Sequence, residues 1–176
     1  MPVVVTGADQ PLGRTVALEL ARSGGVQCDG TQSDGAQPGG AQPSVEVRAT
    51  VRDRHAVGAL RAAGIRVAVS DLSDPLRLGA VFEGAHTVLH LDRGPDGTGW
   101  PGDTWEWLLE AAEGTDVQRI VTVSPQPPTR TLVQGCELII CQLAEEAADR
   151  PGYPQCPEYP DPTLVRELIE ADRRAE

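Results

Sequence analysis

Apolar and polar positions along this chain follow two alternating rhythms. Short apolar runs recur, and each is followed by a longer stretch whose apolar residues fall three and four apart, the pattern of a strand followed by an amphipathic helix. Residues 2–6 predict a buried strand, and residues 12–22 a helix with Leu12, Val16 and Leu20 on one stripe. Residues 45–51 alternate like a strand, a helix over 54–63 ends at Gly64, and 65–69 form a third strand. Asp74 and Pro75 open the third helix, Asp74 as N-cap and Pro75 at the first helical position, where a missing N–H is no loss. A strand over 87–91, a helix over 101–113 stopped near Gly114, and a strand over 117–123 continue the series. The spacing then predicts a long helix over 131–148, weakened by Gly135, and a final helix over 163–174.

Strands alternating with helices in this way imply an α/β fold: a doubly wound parallel sheet, Rossmann-like, of about five strands, with right-handed crossovers and helices on both faces. Two stretches break the rhythm. Residues 24–44 are rich in Gly, Gln, Pro and Ser and contain Gly-Ala-Gln-Pro twice. Such composition buries too little apolar surface to offset its ordering entropy, so it reads as a flexible insertion between the first helix and the second strand. Residues 151–162 are proline-rich and read as irregular. The expected organisation is a dinucleotide-binding domain over 1–150, with the segment 151–176 and its terminal helix packed on it.

Composition narrows the choice of function. At 176 residues the chain suits one core. A net charge of −11 offers no basic face for a nucleic acid. All 15 cationic residues are Arg, which removes Schiff-base chemistry and any Tyr–Lys catalytic pair. With no long apolar stretch and no charged-then-apolar leader, the expectation is a soluble cytoplasmic protein without a membrane partner. Cys28, Cys136, Cys141 and Cys156 are scattered and suit reduced thiols. Cys136 and Cys141, five apart on the predicted helix, suit core positions. His86 and His90 fall at opposite ends of one strand, so no metal site is expected.

The most specific segment is Val3 to Arg14: an apolar run, a tight turn containing Gly7, and the start of a helix containing Gly13. A turn of this kind aims helix-start N–H groups at an anion. Gln10 stands where such turns carry their middle glycine. Ligands of doubly wound sheets lie beyond the carboxyl ends of the strands. Those ends here are Thr6-Gly7, Arg52-Asp53, Ser70-Asp71, Asp92-Arg93 and Ser124-Pro125.

Taken together, Val-Thr-Gly-Ala at 5–8 with Leu12-Gly13, Val51-Arg52-Asp53, Asp71-Leu72-Ser73-Asp74, Gly84 to Val88, and Gln118 to Val121 with Ser124 resemble the NmrA-like branch of the atypical short-chain dehydrogenase/reductases. The resemblance covers residues 2–125. It implies that the glycine turn, through Gly7 and Gly13, carries the pyrophosphate of a dinucleotide, and Thr6, Gln10 and Leu12 of the same segment are expected at the cofactor, although a side chain at Gln10 can crowd the phosphate. It further implies that Arg52 selects the 2′-phosphate of NADP(H) and that Asp71 and Leu72 lie beside the adenine. An Arg fork matches a phosphate whatever the family, whereas the adjacent Asp53 would accept ribose hydroxyls. A solvated strand-end charge is the other reading of Arg52. Three features depart from the family pattern: Gln10, the missing Tyr–Lys pair, and the lack of a predicted strand after residue 148.

Candidate chemistry gathers at the strand ends. His90 and Asp92 stand two apart, on one face of a strand, so a carboxylate could orient an imidazole for acid–base work. Alternatively, His90 hydrogen-bonds to a neighbouring loop. Ser124 sits where the superfamily places a hydroxyl that binds a substrate oxygen, or it caps a loop. Trp105, Leu108, Leu109 and Ala112 share a core-facing helical stripe, while Trp107 points elsewhere and Trp100 could cover a ligand. The wide apolar surface of the predicted 131–148 helix suggests a homodimer through the helices at 101–113 and 131–148. Three functions remain open: an NADP(H)-binding protein acting as a weak oxidoreductase or redox-sensing binder on a small-molecule ligand, a cofactor-independent isomerase, lyase or cyclase, and a non-catalytic interaction module.

Overall fold

The computed structural model describes residues 1–24, 45–97, 100–124, 135–141 and 162–173. Its strands are β1 (Val3–Thr6), β2 (Val47–Val51), β3 (Arg66–Val69), β4 (Thr87–His90), β5 (Arg119–Val123) and β6 (Glu137–Cys141). Its helices are α1 (Pro11–Gly24), α2 (Val57–Ala62), α3 (Pro75–Phe82), α4 (Trp105–Ala112) and α5 (Pro162–Arg173). Single 3-10 turns at Arg54–Ala56 and Pro101–Thr104 lead into α2 and α4. The strands form a six-stranded sheet in the order β3-β2-β1-β4-β5-β6, every pair parallel. This is the doubly wound Rossmann-like arrangement.

Each face of the sheet carries its own apolar layer. Leu12, Val16 and Leu20 of α1, Leu60 of α2, and Leu164, Val165 and Leu168 of α5 are buried on one side with Val3, Val5 and Ala49. Leu78 and Phe82 of α3 and Trp105, Leu108 and Leu109 of α4 are buried on the other with Val4, Val88 and Ile120. Successive strand residues supply opposite faces, as the pleat requires. The expected helix signals hold. Asp74 accepts a hydrogen bond from the Arg77 N–H at 3.1 Å with Pro75 behind it, and Gly64 follows α2 at φ +83°. Trp107 is 41% exposed while Trp105 is buried, as the helical stripe predicts.

Among the described residues, the sequence reading fails at one element. Within the span 131–148, where a helix is expected, the described residues 135–141 instead carry β6 across Glu137–Cys141, in register with β5 from Arg119↔Glu137 to Val123↔Cys141, while 131–134 and 142–148 lie outside the described residues. The sheet therefore has six strands, not about five, and the sixth precedes residue 148. A short run such as Leu138-Ile139-Ile140 satisfies both periods, and its β-branched residues favour the pleated state. Gly135 takes φ +93°, outside helical geometry, and the Glu137 N–H meets the Gln118 carbonyl at 2.8 Å to begin the pairing. Cys136 and Cys141 do not ride on a helix: Cys136 precedes β6, half-buried, and Cys141 ends it, buried. The insertion at 25–44 and the proline-rich stretch at 151–161 lie outside the described residues.

Candidate functional site

Strand order reverses direction between β1 and β4, so the crevice at their carboxyl ends is the topological switch point where such sheets bind ligands. Register fixes what meets there. Pairing of Thr6 with His90 sets the turn after β1 against Leu91 and Asp92. Gly7 takes φ +68°, and a Cβ on it would fall 2.6 Å from the Asp92 Cα. A Cβ on Gly13 would fall 2.3 Å from the Gly7 carbonyl oxygen. Glycine is therefore required at both positions by the space available, and α1 starts directly on the turn. The Gln10 N–H donates to the Gly7 carbonyl at 3.0 Å, and the Arg14 N–H to the Gln10 carbonyl at 2.9 Å, the first bond of α1. Pro11 has no N–H. Helix geometry then leaves the Leu12 and Gly13 N–H groups aimed out of the N-terminus, where the helix dipole adds positive potential.

Side chains tie this turn to both neighbouring strands. Asp9 reaches β2: its Oδ2 accepts the Arg52 N–H at 3.0 Å and the Asp53 N–H at 2.9 Å. Its Oδ1 is buried without a hydrogen-bond partner. Gln10 reaches the loop after β4: its Oε1 accepts the Arg93 N–H at 3.1 Å, and its Nε2 donates to the Gly94 carbonyl at 3.4 Å. The glutamine amide thus grips a backbone donor and acceptor, a role no glycine could fill. Leu12 is buried in the core and faces the mouth only through its backbone.

Arg52 and Asp92 form an ion pair from the end of β2 to the loop after β4. Arg52 Nε donates to Asp92 Oδ2 and Nη2 to Asp92 Oδ1, both at 3.0 Å. Because β1 lies between β2 and β4, the pair spans the end of β1. The Asp92 side chain is only 2% exposed, and the Gly94 N–H donates to its Oδ1 at 2.8 Å. Arg52 therefore points inward across the crevice, paired with a fixed carboxylate.

His90 and Asp92 are neighbours without a shared hydrogen bond. His90 is fully buried, and both ring nitrogens are engaged elsewhere. Nε2 lies 2.8 Å from the Pro101 carbonyl, which can only accept, so Nε2 carries the proton. Nδ1 then accepts from the Thr6 hydroxyl at 2.9 Å, and that hydroxyl accepts the Leu91 N–H at 3.1 Å. Thr104 Oγ1 lies 2.8 Å from Nε2 and can donate to the Asp92 or Pro101 carbonyl, at 3.2 and 3.1 Å. Burial, the largest influence, pushes the imidazole pKa from 6.5 down to about 4, against the opposing pull of the Asp92 charge and the Pro101 carbonyl. At neutral pH the ring is uncharged and fastens the 101–104 turn to β1 and β4. The Thr6 hydroxyl, expected at the cofactor, serves this interior network.

The remaining expected residues lie further along the sheet edge. Asp71, exposed after β3, accepts the Ser73 N–H at 3.1 Å and the Ser73 hydroxyl at 2.7 Å, and these bonds hold its carboxyl below the ordinary range. Leu72 beside it is fully buried at φ +64°, a conformation that costs a branched side chain about 1–3 kcal/mol. Ser124, buried, directly follows β5. The roles of Asp9 and Thr104 were not anticipated from the sequence. Asp9 had a signal, since a short acidic side chain two residues past Gly7 can cap the N–H groups of an adjacent strand end; Thr104 had none.

The sheet order and this crevice define the class to which the chain belongs by its structure, the doubly wound Rossmann-like fold. No protein-family model and no curated protein matches it. Among solved structures it is similar to the NADPH-dependent quinone oxidoreductase QOR2 of Escherichia coli, solved with NADPH, at 19% identity and TM-score 0.51, over 97% of this chain and 45% of that one. It is also similar to ChuY, an anaerobillin reductase from Escherichia coli O157:H7, at 18% identity and TM-score 0.52, over 97% of this chain and 67% of that one. AtPrR2, solved with NADP+ and (+)pinoresinol, is similar at 15% identity and TM-score 0.51, over 69% of this chain and 35% of that one. At these identities the likeness is one of fold, and the chain spans less than half the length of the quinone oxidoreductase.

Proposed function

We propose that this chain binds NADP(H) at the mouth formed by Gly7, Gln10, Leu12 and Gly13, and serves as a weak oxidoreductase or redox-sensing binder for a small molecule. The observation that carries the reading is the glycine turn packed against the start of α1 at the switch point. Its two obligatory glycines leave room for backbone only, so helix-start amides can approach a diphosphate closely. The residues present fit the group on that count, and the Gln10 amide is anchored to the loop after β4. Arg52 is the cation at this mouth, and Asp71 with Leu72 would border an adenine. A bound nicotinamide dinucleotide supplies a hydride donor or acceptor. Ser124 would hold a substrate oxygen; the neutral His90, held by Thr6 and Pro101, would keep the β4 loop in place and act as a positioning residue. The dinucleotide-binding domain over 1–150 and self-association through α4, with exposed Trp107, belong to the same proposal. A monomer in light scattering at micromolar concentration refutes the self-association part.

The test is a titration of NADPH against tryptophan fluorescence, with Trp105 and Trp100 close to the β4 loop in sequence. Saturable quenching is expected; no response at millimolar NADPH refutes the reading. The Arg52–Asp92 pair favours a second reading, a cofactor-independent isomerase or lyase in the same cleft, since that pair neutralises the cation a phosphate would seek. That reading requires turnover without any dinucleotide and would place its chemistry on the Arg52–Asp92 pair, so turnover unchanged in Asp92→Ala refutes it.

A further inference from the structure

We propose that Asp92 is a specificity-determining residue: by holding the Arg52 guanidinium across the end of β1, it withholds from the site the preference for a 2′-phosphorylated dinucleotide that an Arg at the end of β2 would otherwise confer. The inference rests on the dinucleotide-binding reading above and names what that site discriminates.

Arg discriminates phosphate by offering two parallel N–H donors from one edge of a planar, permanently charged fork. In this chain the Nε and Nη2 donors of one such edge both go to Asp92. The carboxylate cannot easily turn away. Its Oδ1 also takes the Gly94 N–H at 2.8 Å, its own carbonyl lies within reach of the Thr104 hydroxyl, and its Cα packs against Gly7 with no space to spare. Freeing Arg52 would strand a carboxylate that is 2% exposed, which is the costly way to break a buried pair. A phosphate monoester approaching the guanidinium therefore meets a neutral pair with a second anion beside it. Asp9 adds to the negative side of the balance, with an unpartnered buried oxygen next to the Arg52 backbone. The diphosphate differs from the 2′-phosphate in its support. It is common to NAD+ and NADP+ and would rest on backbone N–H groups at α1, which Asp92 does not occupy. The pair thus acts on the one group that distinguishes the two cofactors.

The experiment compares NADP+ and NAD+ binding by calorimetry on the full chain, for the unaltered protein, Asp92→Asn, and Arg52→Gln with Asp92→Asn together. Asn keeps the size and an acceptor for Gly94 but removes the charge. The unaltered protein is expected to bind the two dinucleotides within about threefold of each other, and Asp92→Asn to raise the NADP+ preference by about tenfold or more. The double variant is expected to return to near parity, because the gain passes through Arg52. A strong NADP+ preference in the unaltered protein overturns the inference with no variant needed, which covers a substitution that fails to fold. So does an Asp92→Asn protein whose preference does not move, or one in which both dinucleotides tighten equally. Binding of both dinucleotides with an unmoved ratio overturns this inference alone; binding of neither, at millimolar concentration and to any of the proteins, overturns the dinucleotide reading as well.

Discussion

Acidification should destabilise this protein through His90 before its carboxylates titrate. The folded ring has its pKa at about 4 against 6.5 for an accessible imidazole, because burial penalises the charged form by more than the Asp92 charge and the Pro101 carbonyl favour it. The sign follows from proton counting. Below pH 6.5 the unfolded chain takes up a proton that the folded chain refuses, so stability is full above 6.5 and is lost as pH falls toward 4. At 1.36 kcal/mol per unit, the whole interval is worth about 3 kcal/mol, and the step from pH 7 to pH 5 about 2 kcal/mol. For a chain of this size that step should lower Tm by about 4–8 °C. Urea unfolding followed by circular dichroism at pH 7, 6 and 5 measures it, with His90→Asn as the control. The variant should be less stable at pH 7, because it loses hydrogen bonds from a closed network, yet its stability should change much less with pH. Glu46 and Asp71 also stabilise the fold by holding depressed pKa values, through Arg48 and Ser73. Their contribution is lost only as pH falls below their ordinary values of 4.5 and 3.8, beneath most of the window. A wild-type stability flat from pH 7 to pH 5, or an equal slope in His90→Asn, would show that the ring is not a buried neutral donor.

Other substitutions probe the turn and the core separately. Gly13→Ala puts a methyl group 2.3 Å from the Gly7 carbonyl, so α1 must move off the turn; a loss of about 1–3 kcal/mol in urea unfolding and weakened NADPH quenching are expected, and an unchanged protein would disprove the close approach. Asp74→Ala removes the cap on α3 and should cost about 1 kcal/mol, with NADPH binding unaffected. Phe82→Ala opens a cavity between α3 and the sheet, where the ring is fully buried, and should cost about 3–5 kcal/mol by the same unfolding assay. Gln10→Gly releases the loop after β4 from the turn, and proteolysis near residues 93–97 should quicken relative to the unaltered chain.

The strand–helix alternation was legible because each element there carries one period and a marked end. The α1 stripe faces one layer only, and Asp74-Pro75 and Gly64 punctuate α3 and α2 by local rules that tertiary contacts did not override. The segment 137–141 was illegible for the complementary reason. Five residues with three consecutive aliphatic side chains fit either period, and the deciding factor is a partner, the Arg119–Val123 backbone, that no local pattern reveals. Among candidate site residues, the sequence correctly grouped those at strand ends, since alternation alone places Thr6, Arg52, His90 and Asp92 at one edge of the sheet. It could not say which would pair. Of the two readings of His90, the hydrogen bond to a neighbouring loop holds, at the Pro101 carbonyl, while the dyad with Asp92 gives way to Thr6–His90 and Arg52–Asp92, because choice of partner depends on strand order, and the β2-β1-β4 order brings Arg52 within reach of Asp92.

The same strand order explains why a glutamine can stand where a glycine would be expected. A phosphate-binding turn needs its backbone held still, so that its amides meet the anion without reorganising. Glycine at the middle position allows close approach but contributes no hold. In this chain Asp9 fastens the turn to β2, Gln10 fastens it to the loop after β4, and Thr6 fastens its root to His90. The turn is thus braced on both sides and from below by side chains at positions 6, 9 and 10, flanking the glycine. That bracing carries a constraint of its own. Arg93 and Gly94, which Gln10 grips, directly follow Asp92, and Gly94 also steadies the Asp92 carboxylate. The residue that departs from the glycine pattern and the residue that restrains Arg52 therefore share one loop. Loosening Gln10 should relax the grip on Arg52 as well, so the two substitutions Gln10→Gly and Asp92→Asn should be non-additive in their effect on dinucleotide preference, although the two side chains are not paired with each other.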